Sequence, residues 1–251
     1  MFQDRQYKIL EYLGTHNLAT VDELVAYTNA SAATIRRDLI KLDTMGEVYR
    51  LHGSVSLRKN AIRQPTTSEK ITQHHEAKMR IAAAASKLIS DNDSLMLDAG
   101  TTTIEVARNL LERQVKIITT DLNIGLLLCG HDNLSVSLTG GNLDSSSQSC
   151  TGDLARKMLE RIHPKFSFVS CNAWDLEHGI TAPTAEKAHL KADIIEAAAD
   201  VVLLADSSKY GKVQLFEVAP LQRLHEIITD RDLPKDVARK IQETGIRLTL
   251  V

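Results

Sequence analysis

Apolar residues along the first 57 positions recur at helical spacing, in three short stretches. Ile9 and Leu13, with Leu10 beside them, line one side of a helix expected from about Gln3 to Thr15. Thr20 opens a second helix ending near Thr28, because Glu23 stands three residues on and completes a capping box. Asn29 and Ala30 read as a tight turn, and Ser31 as the N-cap of a third helix. Ile35, Leu39 and Leu42 form that helix's apolar stripe, and Gly46 ends it. "EVYRL" and "SVSLR" then alternate as two strands around His52 and Gly53.

The pattern changes twice more. Residues 58–75 are polar, lack a sustained apolar period and contain the first proline, Pro65, so they read as a linker. From Glu76 to the end, residues 76–251, apolar strands alternate with helices. "SLMLDAG", "VKIITT", "LSVSL", "FSFVS", "VVLLA" and "HEIIT" are the strands, and helices are expected at about 185–199 and 234–244. Alternation of this kind predicts an α/β layer structure with a largely parallel sheet. The chain therefore reads as a small domain over 1–57, a linker over 58–75 and a large α/β domain over 76–251.

Composition narrows the function. Of 251 residues, 43% are hydrophobic, enough for real cores, and the formal charge of −2 excludes a generally basic coat for nucleic acid. Any nucleic-acid surface must be local. Three cysteines without a C-x-x-C pair argue against a disulfide framework or zinc knuckle and fit a reducing compartment. No apolar run is long enough for a membrane helix. A cytoplasmic protein without membrane partners is expected. His74, His75 and Glu76 are adjacent, which is poor metal geometry, so no metal site and no cofactor are expected.

The local basic surface is found at the third helix. Residues 31–63 hold Arg36, Arg37, Lys41, Arg50, Arg58, Lys59 and Arg63 against Asp38, Asp43 and Glu47, an excess of +4. A capped helix after a tight turn is a helix-turn-helix candidate, whose second helix enters the major groove by its N-terminal part. Arg36 and Arg37 can then bind guanine edges or phosphates, and Ser31 and Thr34 can donate to phosphates. Arg50 and His52 fall on the hairpin, in the place of a wing. The alternative is a solvated helix face with Asp38 pairing locally. "AATIRRDL" after Ser31, together with Arg5, Ile9 and Leu13, resembles the N-terminal signature of the DeoR-type family of bacterial sugar-metabolism repressors. "YRLHGSV" is similar to that family's wing, with Ser54 and Val55 in place of its usual glycine and alanine. The resemblance implies a winged helix-turn-helix that binds operator DNA as a homo-oligomer.

A second set of candidates follows the strands of the large domain. "DAGTTT" joins an apolar strand to a helix, so Asp98, Gly100, Thr101, Thr102 and Thr103 sit where open α/β sheets bind ligands. Backbone N–H groups at a helix start and threonine hydroxyls suit a phosphate, and a plain threonine-capped helix start is the alternative. The stretch is neither a Walker loop nor a dinucleotide fingerprint. Asp121, the Gly140–Gly141 pair, and Asp206 with Lys209 also follow strands; capping and turns are the alternatives there. "AKMRIAAAASKLI", "LDAGTTT", "LTGGNL" and "LLADSSKYGK" resemble the sensor domain of the same family, which in turn is similar to ribose-5-phosphate isomerase. That implies a pocket for a phosphorylated sugar, with residues 100–103 cradling the phosphate, and DNA affinity set by the ligand.

Departures from the pattern bear on chemistry. Cys171, Asn172 and Trp174 stand where the family shows small residues; Asn172 is carried over as an effector candidate. Counting back from Asp206, the isomerase's glutamate base falls on Lys191, which cannot replace a carboxylate in proton abstraction but can pair with a sugar phosphate or hydroxyl. Glu186 is the remaining carboxylate candidate. The expectation is a transcriptional repressor of carbohydrate use that is not an enzyme. An isomerase carrying a winged helix, or a scaffold without ligand or DNA, are the competing readings.

Overall fold

The computed structural model describes residues 4–16, 19–51, 54–57 and 66–251. The chain divides into two compact units, Met1–Pro65 and Thr66–Val251.

The first unit contains α1 (Asp4–Thr15), β1 (Ala19–Thr20), α2 (Val21–Thr28), α3 (Ala32–Thr44), β2 (Val48–Leu51) and β3 (Ser54–Leu57). The helical spacing of the apolar residues decides the packing. Ile9, Leu13, Leu24, Ile35 and Leu42 are fully buried, and Leu39, Val48 and Val55 nearly so, in one core. The capping box at Thr20 forms as its residues predict: the Glu23 N–H donates to Thr20 Oγ1 at 3.2 Å, and the Thr20 N–H to the Glu23 carboxylate at 2.7 Å. Asn29 turns the chain with φ 53° before α3 begins. β1 adds to β3, giving the sheet order β1-β3-β2. Two residues are too short a strand for any periodic signal, so only the tertiary fold reveals it.

The second unit opens with α4 (Thr67–Ile71) and α5 (His75–Ser86), followed by β4 (Ser94–Leu97), α6 (Thr101–Arg108), β5 (Lys116–Thr119), α7 (Leu122–Leu128) and β6 (Ser135–Leu138). After a hairpin, β7 (Asn142–Asp144) and β8 (Ser149–Thr151), come α8 (Asp153–Leu159), β9 (Phe166–Ser170), β10 (Ala173–Asp175) and β11 (Gly179–Ala182). The chain closes with α9 (Ala185–Ala197), β12 (Asp200–Leu204), β13 (Phe216–Ala219), β14 (Glu226–Thr229), α10 (Lys235–Glu243) and β15 (Arg247–Leu250).

Seven strands make a parallel sheet in the order β15-β14-β12-β9-β4-β5-β6. Alternate side chains on a strand point to opposite faces. Leu95, Leu97, Val202, Leu204 and Ile228 accordingly join the core under α5, α6 and α7. Met96, Val201, Leu203 and Ile227 join the core under α8, α9 and α10. Both faces are covered, which is why these strands read as nearly unbroken apolar runs. The chain winds outward from the middle in both directions, β4 to β6 one way and β9 to β15 the other. The order reverses between β4 and β9.

Three parts of this unit differ from the sequence expectation. Residues 66–71, expected to belong to a structureless linker, form α4 and belong to the second unit. Their helix has its own capping box between Thr66 and Glu69, too short to show an apolar period. Residues 173–182 and 216–219 form a small antiparallel sheet, β10-β11-β13. Trp174 lies wholly inside the core beneath it, edge-on to Tyr210 with ring centres 5.0 Å apart. The β7–β8 hairpin was also unforeseen; its strands of three residues are below the length at which alternation is readable.

Candidate functional sites

In α3, Ser31 and Thr34 cap the helix together. The Thr34 N–H donates to Ser31 Oγ at 3.3 Å, and the two hydroxyls share a hydrogen bond of 2.8 Å. Arg36, Arg37 and Lys41 are exposed and make no ion pair among the described residues. Asp38 does not pair with them. It is buried and accepts from Arg5 Nε at 2.5 Å and from Gln6 Nε2 at 3.4 Å, tying α3 to α1. That long-range pair leaves both neighbouring guanidinium groups uncommitted. Arg50 lies on β2, but its side chain, and His52 altogether, fall outside the described residues.

In the second unit, the carboxyl ends of the parallel strands bring most of the predicted residues to one edge. Asp98 follows β4, Asp121 follows β5, Gly140 and Gly141 follow β6, Asn172 follows β9, and Asp206 follows β12. The reversal between β4 and β9 is the position at which α/β sheets open a ligand crevice. Lys191, reaching in from α9, bridges this position. Its ammonium bonds the Asp98 carboxylate from one strand end and donates to the Ser170 carbonyl, 2.8 Å away, at the other. Asp98 also accepts from the N–H groups of Ala99 at 2.8 Å and Ser170 at 3.0 Å.

The glycine loop is held just as closely. A Cβ on Gly100 would lie 2.4 Å from Ser170 Oγ, so only glycine lets β4 and β9 approach here. The Gly100 N–H donates to Asp121 at 3.2 Å; Asp121 also caps α7 through the N–H groups of Asn123 at 2.7 Å and Ile124 at 3.3 Å. Burial, partly offset by these donors, raises the Asp121 pKa above the usual carboxylate value. Thr103 is fully buried and spends its hydroxyl on the Gly100 carbonyl at 2.7 Å. Thr101 and Thr102 are buried at the helix start, and neither hydroxyl bonds a protein group among the described residues. Gly141, at φ 111°, passes so close to Thr151 that a Cβ would meet its carbonyl oxygen at 2.4 Å.

Asp206 is buried, accepts from Ser208 Oγ, and lies 3.8 Å from Lys209 Nζ. Glu186 stands apart: it is exposed at the start of α9, nearest to the Gly152 turn. Asn172 is half-buried. Burial pushes the neighbouring Cys171 thiol up to about 12, so it is not an available thiolate.

Three lysines near this edge, Lys70, Lys78 and Lys187, were not carried as candidates from the sequence. Lys70 on α4 is half-buried, and Lys78 on α5 is 98% buried with its ammonium 2.5 Å from the Lys70 carbonyl. Lys78, Lys187, Lys191 and Lys209 are all close enough to repel Lys70. Burial and this repulsion bring the Lys70 pKa down to about 8. Lys187 is held by Asp144 at 3.2 Å and by Ser146 Oγ at 3.1 Å. Five ammonium groups thus gather from α4, α5, α9 and the loop after β12. Their spacing in sequence carries no motif, so no local pattern announces them.

Among the described residues no group of three His, Cys, Asp or Glu side chains is placed to hold a metal ion. No described helix is long and apolar enough to cross a membrane.

Residues 5–61 match the family model of the DeoR-like helix-turn-helix domain, and residues 73–231 that of the DeoR C-terminal sensor domain. The chain is 33% identical over 249 residues to an HTH-type transcriptional regulator of Haemophilus influenzae, covering 99% of this chain and 97% of that one. It is 30% identical over 252 residues to a putative aga operon transcriptional repressor of Escherichia coli O157:H7, covering 99% and 93%. Among solved structures it is similar to ribose-5-phosphate isomerase A of Methanocaldococcus jannaschii, at 17% identity over 55% of each chain and a TM-score of 0.41. With a helix-turn-helix unit, a parallel α/β unit and both family models spanning most of its length, the chain belongs to the DeoR family of DNA-binding transcriptional regulators.

Proposed function

We propose that the chain represses a carbohydrate-utilisation operon, with operator binding through α3 and control by a phosphorylated sugar at the carboxyl edge of the parallel sheet. The observation that carries the effector reading is the gathering of lysines there: Lys191 pairs with Asp98 and Lys209 with Asp206 at the strand ends, the Lys78 ammonium reaches the Lys70 carbonyl, and Lys78, Lys187, Lys191 and Lys209 all repel Lys70. Like charges gathered in a partly buried place oppose one another, and a bound oxyanion relieves them. Exposed backbone and the hydroxyls of Thr101 and Thr102 add neutral donors beside them. Asp206, Asp121 and Asn172 are then the groups available to sugar hydroxyls, while Gly100, Gly140 and Gly141 admit the ligand close to the backbone. On the DNA side, Arg36, Arg37 and Lys41 are the contacts, and Ser31 and Thr34 hold the helix start. A homo-oligomer follows from the need to read two half-sites.

A binding role is supported by three features: the Asp98 carboxylate is engaged by Lys191, Glu186 is exposed at the start of α9, and burial pushes the Cys171 thiol up. Asp121 and Asp206, the carboxylates offered to the sugar, already accept hydrogen bonds from this chain.

Thermal unfolding with a panel of sugar phosphates, each beside its unphosphorylated sugar, tests the effector reading. Ligand at about 100-fold its Kd adds roughly 2.7 kcal/mol, a rise of roughly 5–10 °C for a chain of this size. A shift with one phosphorylated sugar is expected, and that ligand should change retention of the chain's own upstream DNA in an electrophoretic assay. A response to the unphosphorylated sugar alone, or no specific retention of that DNA, overturns the reading.

A further inference from the structure

Among the described residues, Lys70 is the member of the lysine group for which no compensating contact is seen. Lys187, Lys191 and Lys209 each have a carboxylate, in Asp144, Asp98 and Asp206, and Lys78 donates to a backbone carbonyl. Lys70 makes no ion pair among the described residues. It is carried by α4, the element with which the second unit begins. Polar contacts help to hold α4 in place. The Thr67 N–H donates to the Ser146 carbonyl and the Thr67 hydroxyl to the Ser147 carbonyl, each at 3.0 Å. The Lys78 ammonium donates to the Lys70 carbonyl at 2.5 Å.

The turn that receives α4 is itself tied to the lysine group. Asp144 accepts from Ser146 Oγ at 2.6 Å, from the Ser147 N–H at 2.8 Å and from Ser147 Oγ at 2.9 Å, and it pairs with Lys187. These donors hold the Asp144 carboxyl far below its usual pKa. One network therefore runs from Lys187 through Asp144 and the Ser146–Ser147 turn to α4 and back to Lys70. Without an anion, Lys70 is repelled by the four lysines around it and works against the docking of its own helix. With a phosphate oxyanion among them, the same charge becomes an attraction, because each ammonium then faces a shared counter-ion.

We infer that Lys70 is a further phosphate-binding residue of the effector site, and that the bound phosphate fastens α4 to the second unit. The inference rests on the effector reading of this edge and extends it. The ligand group it requires is a phosphate oxyanion, whether a sugar's monoester or inorganic phosphate. Its consequence is directional: effector binding stabilises the first helix after residues 58–65, the stretch of chain that joins the two units in sequence.

Amide hydrogen exchange on the full-length chain tests this. Wild type, Lys70→Met and Lys70→Arg are compared in chloride, in inorganic phosphate at matched ionic strength, in ribose 5-phosphate and in ribose. Affinities are measured by calorimetry on the same samples, and folding by thermal unfolding. In wild type, the phosphate-bearing ligand that binds is expected to slow exchange over residues 67–73 by roughly tenfold. Lys70→Met is expected to bind it roughly tenfold more weakly, the worth of one charge-assisted hydrogen bond, and to show no added protection of 67–73 when saturated. Lys70→Arg keeps the cation and is expected to restore most of both effects. Equal affinity and equal protection in wild type and Lys70→Met overturn the inference while leaving the effector reading intact. Absence of binding to either phosphate source in wild type overturns the inference, and the effector reading is then decided by the sugar-phosphate panel. Protection by ribose as strong as by ribose 5-phosphate also overturns it, since the phosphate is then not the fastening group.

Discussion

The two units use cationic side chains in opposite ways. On α3, Arg36, Arg37 and Lys41 are exposed, and the carboxylate adjoining the arginine pair, Asp38, is drawn inward by Arg5. At the edge of the parallel sheet, cations are half-buried, crowded and mostly tied to aspartates of the same unit. DNA carries its phosphates on the outside of a rod, so a binding helix needs exposed, uncommitted charge. A small phosphorylated ligand must be surrounded, so its site needs charge fixed before the ligand arrives. The difference teaches where each unit is fragile. Changes on α3 should affect binding with little effect on folding, whereas changes at the sheet edge should affect both.

Lys191→Met gives the largest expected break. It strips the nearly inaccessible Asp98 carboxylate of its counter-charge, and removing one partner of a buried pair costs about 3 kcal/mol. Trp174, the single tryptophan and buried in the second unit, reports the loss by fluorescence during urea unfolding. An unchanged midpoint would mean the pair contributes nothing to that unit. Next come Arg36→Ala and Arg37→Ala, each expected to weaken operator binding by roughly 1–3 kcal/mol if it contacts a base edge. A phosphate contact would instead lower the salt slope of binding by about 0.9. In either case thermal unfolding should not move; a lowered midpoint would end the contrast between the units.

Gly100→Ala places a methyl group against Ser170, which is itself held by Asp98 and the Ala99 carbonyl. Overpacking of this kind costs about 1–3 kcal/mol, read as a lower unfolding midpoint together with weaker effector binding. The smallest effect has the opposite sign. The Lys70 pKa sits near 8, below the ordinary lysine value, with Lys78, Lys187, Lys191 and Lys209 around it. Below that pH the ammonium is present in both folded and unfolded chains, and its unfavourable contribution to folding is complete. As pH rises from about 8 toward 10, the unfolded chain retains the proton that the folded chain has lost, so folding gains stability. Lys70→Met should therefore raise the unfolding midpoint at pH 7 by about 2–4 °C, corresponding to about 1 kcal/mol. The gain should fade by about pH 10; a gain of equal size at both pH values would assign it to packing.

Local signals carried much of this molecule. The caps at Thr20 and Ser31, the stripe of Ile35, Leu39 and Leu42, and the turn at Asn29 together made the helix-turn-helix legible. The apolar strands, several followed within two residues by an aspartate or a glycine, marked the edge of the sheet where the candidate residues gather. These features depend on neighbours within about one helical turn or one strand, which is the range over which spacing in sequence maps onto position in space. What lies beyond that range was decided only by the tertiary structure. The sequence placed Lys70 in a linker and passed over Lys78, yet the docking of α4 on the Ser146–Ser147 turn and the bond of the Lys78 ammonium to the Lys70 carbonyl bring both near Lys187, Lys191 and Lys209. Local pairing of Asp38 on its own helix was the alternative reading, and its partner is instead Arg5 of α1. Lys191 was foreseen as a ligand residue, but its bond to Asp98, 93 residues away, exists only because the strand order reverses between them. Sequence by itself determined the helix-turn-helix, the alternation of strands and helices that follows, and the family. Which charges meet at the edge of the sheet was decided by the winding of the chain, because electrostatic neighbours are set by distance in space.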